Sequence, residues 1–313
     1  MMENLVLRWG RESNMTLNLE NVVKKYKDFT AVNDLNFTIR EGTIFGLIGQ
    51  NGAGKTTTFR MILDLQEQTS GTITWQGKPI KNINRDLLGY LPEERGIFPQ
   101  MKVEEQLFFF GTLRGMKKEE VKKEIDFWIK RFDLEEKRNA KAETLSKGNQ
   151  QKVQLIASFI HKPKFLILDE PFSGLDPVNR DLLKDAILLL KDRGTTILFS
   201  SHQMDNVEEL CDYLCLLKRG ISLFSGSLLD LKKQYGKIKL SIRTDIPLEE
   251  IRKMVGVKEV KVDREDYILT LVDESYAEPI FEVVSKGSYI EKFSLDYLSL
   301  DEIFKDKVGG QDE

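Results

Sequence analysis

Residues 49–56 read Gly49, Gln50, Asn51, Gly52, Ala53, Gly54, Lys55 and Thr56, directly after the apolar run Ile44, Phe45, Gly46, Leu47 and Ile48. Glycines at this spacing let backbone N–H groups wrap a polyphosphate, while the lysine faces its charge and the threonine hydroxyl faces its Mg²⁺. Such a loop must join a buried strand to the helix packed beside it, so it commits the surrounding chain to an α/β core with a parallel sheet. The strand is expected at 44–48 and the helix at 56–65.

A chain of 313 residues exceeds a typical single domain, and two are expected. The formal charge is −3, and the acidity is local: from residue 237 to the end there are 12 Lys and Arg against 18 Asp and Glu. No basic field or tail is present to draw the chain onto nucleic acid or an anionic lipid surface. Cys211 and Cys215 stand four apart with no second pair to complete a zinc site, which reads as buried thiols in a reducing compartment. No apolar run reaches the ~18 residues of a membrane helix, and the N-terminus lacks a secretion pattern. Residues 1–14 read as a disordered or non-native extension, with Met15 a candidate natural start and a native arm the alternative.

Strand-like segments recur at 165–168, 195–200 and 213–218, whereas 100–160 turns to charged amphipathic helices such as 117–132. A nucleotide-binding domain over 15–236 with a helical subdomain near 90–162 follows. Beyond residue 236 the pattern restarts as β-α-β-β-α-β, a small α+β domain of ferredoxin-like type over 237–313.

A phosphate loop alone does not fix a reaction class, since GTPases, kinases and transport ATPases all carry one. Asp169 and Glu170 follow the apolar strand Phe165, Leu166, Ile167 and Leu168, delivering one carboxylate toward Mg²⁺ and the next toward an attacking water. Ser146 is placed to cap a helix running to about Ile160, and the N–H groups at such a terminus form a natural receptor for a γ-phosphate.

These segments, with Pro171, Gly174-Leu175-Asp176 and Ser200-Ser201-His202, resemble the ATP-binding-cassette (ABC) ATPases over residues 17 to about 230. The resemblance implies an ATP hydrolase using Mg²⁺. Gly49, Gln50, Asn51, Gly52, Ala53, Gly54, Lys55, Thr56 and Thr57 would hold the nucleotide, and Tyr26 matches the aromatic that stacks on adenine. Thr56, Asp169 and Glu93 would face the metal. Glu170 resembles the general base, His202 the switch histidine on the γ-phosphate, and Lys55 the lysine on the transferred phosphate. Ser146, Lys147, Gly148 and Asn149 would act in trans on the nucleotide of a second subunit, and Asp176 would sense that subunit. Two departures stand out. Lys147-Gly148-Asn149 replaces two glycines and a glutamine, and Glu93 stands where the family generally has glutamine. Glu93 either ligates the ion or is held away from it by a neighbouring Glu94–Arg95 pair.

By the same resemblance, the chain would pair with a second ATPase subunit and drive a separate integral-membrane permease, without nucleic acid. It would sit in the cytoplasm on the inner face of the membrane. Residues 103–112 are either a permease contact or core of the helical subdomain. The closing segment near 298–304 resembles type-2 exporter ATPases, of the sodium- and drug-efflux kind. An importer subunit with a regulatory C-terminal domain and a non-transport ABC ATPase are the alternatives.

Overall fold

The computed structural model describes residues 15–94, 96–286 and 289–309; the expected N-terminal extension and Arg95, the cation of the expected Glu94–Arg95 pair, lie outside them. The chain forms two compact units, Met1–Ser225 and Gly226–Glu313.

The first unit opens with the hairpin β1 (Met15–Tyr26) and β2 (Phe29–Arg40), then β3 (Ile44–Ile48), α1 (Lys55–Ile62), β4 (Ser70–Trp75), β5 (Lys78–Pro79) and β6 (Leu88–Leu91). Three helices follow, α2 (Val103–Leu113), α3 (Lys118–Arg131) and α4 (Lys147–Phe159). The chain then returns through β7 (Phe165–Leu168), α5 (Pro177–Asp192), β8 (Thr196–Ser201), α6 (Met204–Leu210), β9 (Tyr213–Lys218) and β10 (Ile221–Ser227). One sheet has the order β2-β1-β4-β5 and the other β10-β9-β3-β8-β7-β6. In the second, β3 runs parallel to β8 and β9, and β7 parallel to β8 and β6. Every residue of β3, β7 and β8 is buried, as expected for central parallel strands covered on both faces.

Helix α1 stops at Ile62, three residues short of the expected end. Asp64 takes a left-handed φ of +52°, and its N–H bonds Met61 O while that of Leu65 reaches back to Arg60 O, so the last carbonyls are capped and the helix cannot continue. In α3, Val121, Ile125, Trp128 and Ile129 fall on one face at helical spacing and are buried. Trp128 packs on Phe159 of α4 with ring centroids 4.6 Å apart, joining the helical layer to the helix that Ser146 caps.

In the second unit, α7 (Leu228–Tyr235) precedes β11 (Lys239–Thr244), α8 (Leu248–Ile251), β12 (Val257–Asp263), β13 (Asp266–Leu271), α9 (Ala277–Ser285), β14 (Ile290–Asp296) and α10 (Leu300–Gly309). The four strands form an antiparallel sheet in the order β12-β13-β11-β14, which is the split β-α-β arrangement. Alternation puts Leu240, Ile242, Leu269 and Leu271 on one face, where Ile251, Ile280 and Val284 from α8 and α9 complete the core.

Candidate functional site

Parallel strands in one sheet end at one edge, and the segments that leave the C-terminal ends of β3, β6, β7 and β8 therefore converge there. Those segments are the phosphate loop, Pro92-Glu93, Asp169-Glu170 and the Ser201-His202 turn. In the loop, Gly54 adopts φ +105°, and a Cβ on it would stand 2.7 Å from Ala31 O of β2. Only glycine fits, and the tight turn aims the first N–H groups of α1 outward.

Lys55 is almost fully buried, with Nζ donating to Gly49 O at 2.7 Å and Gln50 O at 3.4 Å and standing 3.2 Å from Glu170 Oε1. Thr56 Oγ1 donates to Asp169 Oδ2 at 3.0 Å, so the hydroxyl and carboxylate expected to face Mg²⁺ are neighbours. The other carboxylate oxygen, Oδ1, accepts the Ser200 hydroxyl at 2.6 Å, and that hydroxyl in turn accepts the Glu170 N–H at 2.8 Å. Glu170 itself has a left-handed φ of +47°, a costly conformation for a non-glycine residue that these contacts hold. Its Oε2 lies 2.9 Å from His202 Nδ1, which leaves the carboxylate between a lysine and a histidine.

Ser200 is the member that sequence reading undervalued. Leu168 pairs in register with Phe199, so the residues one step beyond, Asp169 and Ser200, end side by side on adjacent parallel strands. Nearby, burial and the Asp169 charge push the Tyr90 phenol up to about 12, so it stays neutral beside the carboxylates.

Glu93 is exposed and lines a cavity of about 300 Å³ together with Asp169, Glu170, Gln151, Gln154 and Gly174. Tyr26 sits at the tip of the first hairpin, directly across from Phe29; it is 40% exposed and Lys24 Nζ lies 5.1 Å from its ring centroid. Asp176 caps α5, accepting the Asn179 N–H at 2.9 Å and the Asn179 amide at 2.6 Å, and these bonds lower its pKa, the backbone one foremost.

The segment Ser146–Asn149 stands apart from this constellation. Ser146 Oγ accepts the Asn149 N–H at 3.3 Å as the cap of α4, and Ser146 and Lys147 are exposed. Further along α4, Gln151 and Gln154, to which the sequence assigned no role of their own, reach the loops that line the cavity. Gln151 Nε2 donates to Pro171 O at 3.3 Å and Ser173 O at 3.2 Å, and Gln154 Nε2 donates to Glu94 O at 3.0 Å. The two cysteines are buried, and burial pushes the Cys215 thiol up to about 12. Among the described residues no His, Cys, Asp and Glu group has the makings of a metal cluster of its own.

The sequence matches the ABC transporter family over residues 32–173 and the C-terminal domain of DrrA1-3-like ATP-binding proteins over 226–308. It is 46% identical to the ABC transporter ATP-binding protein YhaQ of Bacillus subtilis, across 94% of this chain and 98% of that one. The linearmycin resistance ATP-binding protein LnrL of Bacillus subtilis is 33% identical, across 79% and 82%. A solved ATP-binding subunit of an ABC transporter superposes with TM-score 0.66 at 30% identity, covering 70% of this chain and 93% of that one.

Proposed function

Because this chain belongs to the ABC transporter ATP-binding family, we propose that it hydrolyses ATP with Mg²⁺ as one of two paired subunits that power a separate export permease. The observation that carries the reading is the chain of contacts Thr56, Asp169, Ser200, Glu170, His202 around Lys55.

Thr56 Oγ1 and Asp169 Oδ2 offer adjacent hard oxygens suited to Mg²⁺, and Glu93 lines a cavity that Asp169 also lines. Bound there, the ion would neutralise charge on the phosphate oxygens. Gly49 to Thr57 supply N–H groups and hydroxyls to the phosphates, and Tyr26 presents an exposed ring to the base. Glu170 is the general base, taking a proton from the attacking water. Lys55 lies within reach of the transferred phosphate and of Glu170, and His202 orients the carboxylate from its other oxygen.

Water must be excluded for this arrangement to work, and a second subunit closes it: the exposed α4 terminus with Ser146, Lys147, Gly148 and Asn149 covers the partner's nucleotide, near Asp176. No helix among the described residues is long and apolar enough to cross a membrane. Motion therefore passes to a permease, and the exposed aromatic patch of Phe98 and Phe109 with Leu113 is the surface offered to it, at the cytoplasmic face of the membrane. In α2 the opposite face, Val103, Leu107 and Gly111, is core. Export is favoured by the likeness to the Nod factor export ATP-binding protein I of Rhizobium, 36% identical across 69% of this chain and 72% of that one.

The test is Glu170→Gln. The variant is expected to lose turnover by at least ~100-fold while retaining nucleotide, and to accumulate as an ATP-bound dimer in light scattering. Hydrolysis at the parental rate would remove Glu170 from the base role.

A further inference from the structure

The helix that Ser146 caps is also the strut of this subunit's own catalytic loop. Gln151 is five residues from Ser146, about 7.5 Å along the axis of α4. Its amide nitrogen has two hydrogens, and two carbonyls receive them, Pro171 O and Ser173 O, on the turn that begins at Glu170. That turn is closed by the Ser173 N–H on Glu170 O at 3.1 Å, so Glu170, Pro171 and Ser173 form one unit. One helical step further, Gln154, 7% exposed, binds the Glu94 carbonyl beside Glu93. A Cβ on Gly148 would stand 3.5 Å from the Asn179 amide that braces Asp176, so the first turn of α4 also lies against the start of α5.

We propose that Gln151 is a positioning residue that couples two ATP sites: α4 carries the state of the nucleotide under Ser146 in one site to the Glu170 turn of the other. The inference rests on the paired-subunit reading above. A helix is stiff over so short a span, and its displacement at Ser146 reappears at Pro171 and Ser173 through the two amide bonds. Since Glu170 holds a strained φ of +47°, small shifts of the next residue change where its carboxylate points. Misplacement of a catalytic group by 1 Å is enough to cost ~100-fold in rate.

The experiment is steady-state ATP hydrolysis by purified Gln151→Met, which keeps side-chain length and removes both donors, beside Gln151→Lys, which keeps a donor. Gln151→Met is expected to lower kcat at least ~10-fold, leave KM within about twofold, and bring the Hill coefficient for ATP from near 2 toward 1. Gln151→Lys is expected to recover both. In the Glu170→Gln background, Gln151→Met is expected still to dimerise with Mg·ATP. A Hill coefficient unchanged in Gln151→Met overturns the coupling role whatever happens to kcat, because an effect confined to its own site would lower the rate alone. Loss of dimerisation in the double variant also overturns it. If Glu170→Gln by itself stays monomeric with Mg·ATP, the paired-subunit reading falls first, and that result is separable from the behaviour of Gln151.

Discussion

Replacing Ser200 by alanine tests whether the catalytic turn is held by one buried hydroxyl. Ser200 is completely buried, donates to Asp169 Oδ1 at 2.6 Å and accepts the Glu170 N–H at 2.8 Å. A hydrogen bond to a charged group contributes about 1.5–3 kcal/mol, and a buried amide left unpaired costs about 1–3 kcal/mol. Part of each is recovered by relaxation, so Ser200→Ala is expected to destabilise the first unit by about 2–4 kcal/mol. If the side chain only filled space, losing one oxygen would cost well under that, about 1 kcal/mol or less. With a urea slope of ~3 kcal/mol/M, the larger figure moves the unfolding midpoint down by roughly 1 M and the smaller by ~0.3 M. The freed Glu170 backbone then leaves its strained conformation, and kcat is expected to fall about 10- to 100-fold with KM near the parental value. A midpoint shift under ~0.3 M together with kcat within twofold of the parent would refute the role assigned to the hydroxyl.

Gly54→Ala is expected to abolish ATP binding in a fluorescent-nucleotide titration, because φ +105° and a carbonyl 2.7 Å from the new Cβ force the loop open. Glu93→Gln is expected to keep basal turnover while changing how far a reconstituted permease stimulates it; lost nucleotide binding would contradict that. Arg138 grips Glu104 through Nε at 2.8 Å and Nη2 at 2.6 Å, and this hydrogen-bonded pairing holds the Glu104 carboxyl below its ordinary 4.5. A carboxyl lowered in the folded state stabilises above its ordinary value and loses that contribution as pH falls through the lower folded one. The stability difference between the parent and Glu104→Gln should therefore be constant near neutrality and shrink below about pH 4.5, measured by urea unfolding at several pH values.

Legibility in this chain follows the range of the forces involved. The phosphate loop, the buried strands β3 and β7, the amphipathic face of α3 and the Ser146 cap are set by neighbours within a few residues, so sequence alone determined them. The antiparallel β-α-β-β-α-β unit was readable because period-2 and period-3.6 apolar patterns alternate cleanly there. Even the early end of α1 is local in cause, but Asp64 carries no unambiguous signal for a left-handed turn.

What only the tertiary structure decided is which strand lies beside which. The order β10-β9-β3-β8-β7-β6 brings Ser200 against Asp169, residues 31 apart in the chain, and gives Glu170 its lysine and histidine flanks. The same holds for Gln151, whose amide acquires meaning only when α4 lies against the turn after β7. A hydrogen bond between distant residues is fixed by packing of whole elements, and single-residue chemistry along the chain does not encode it.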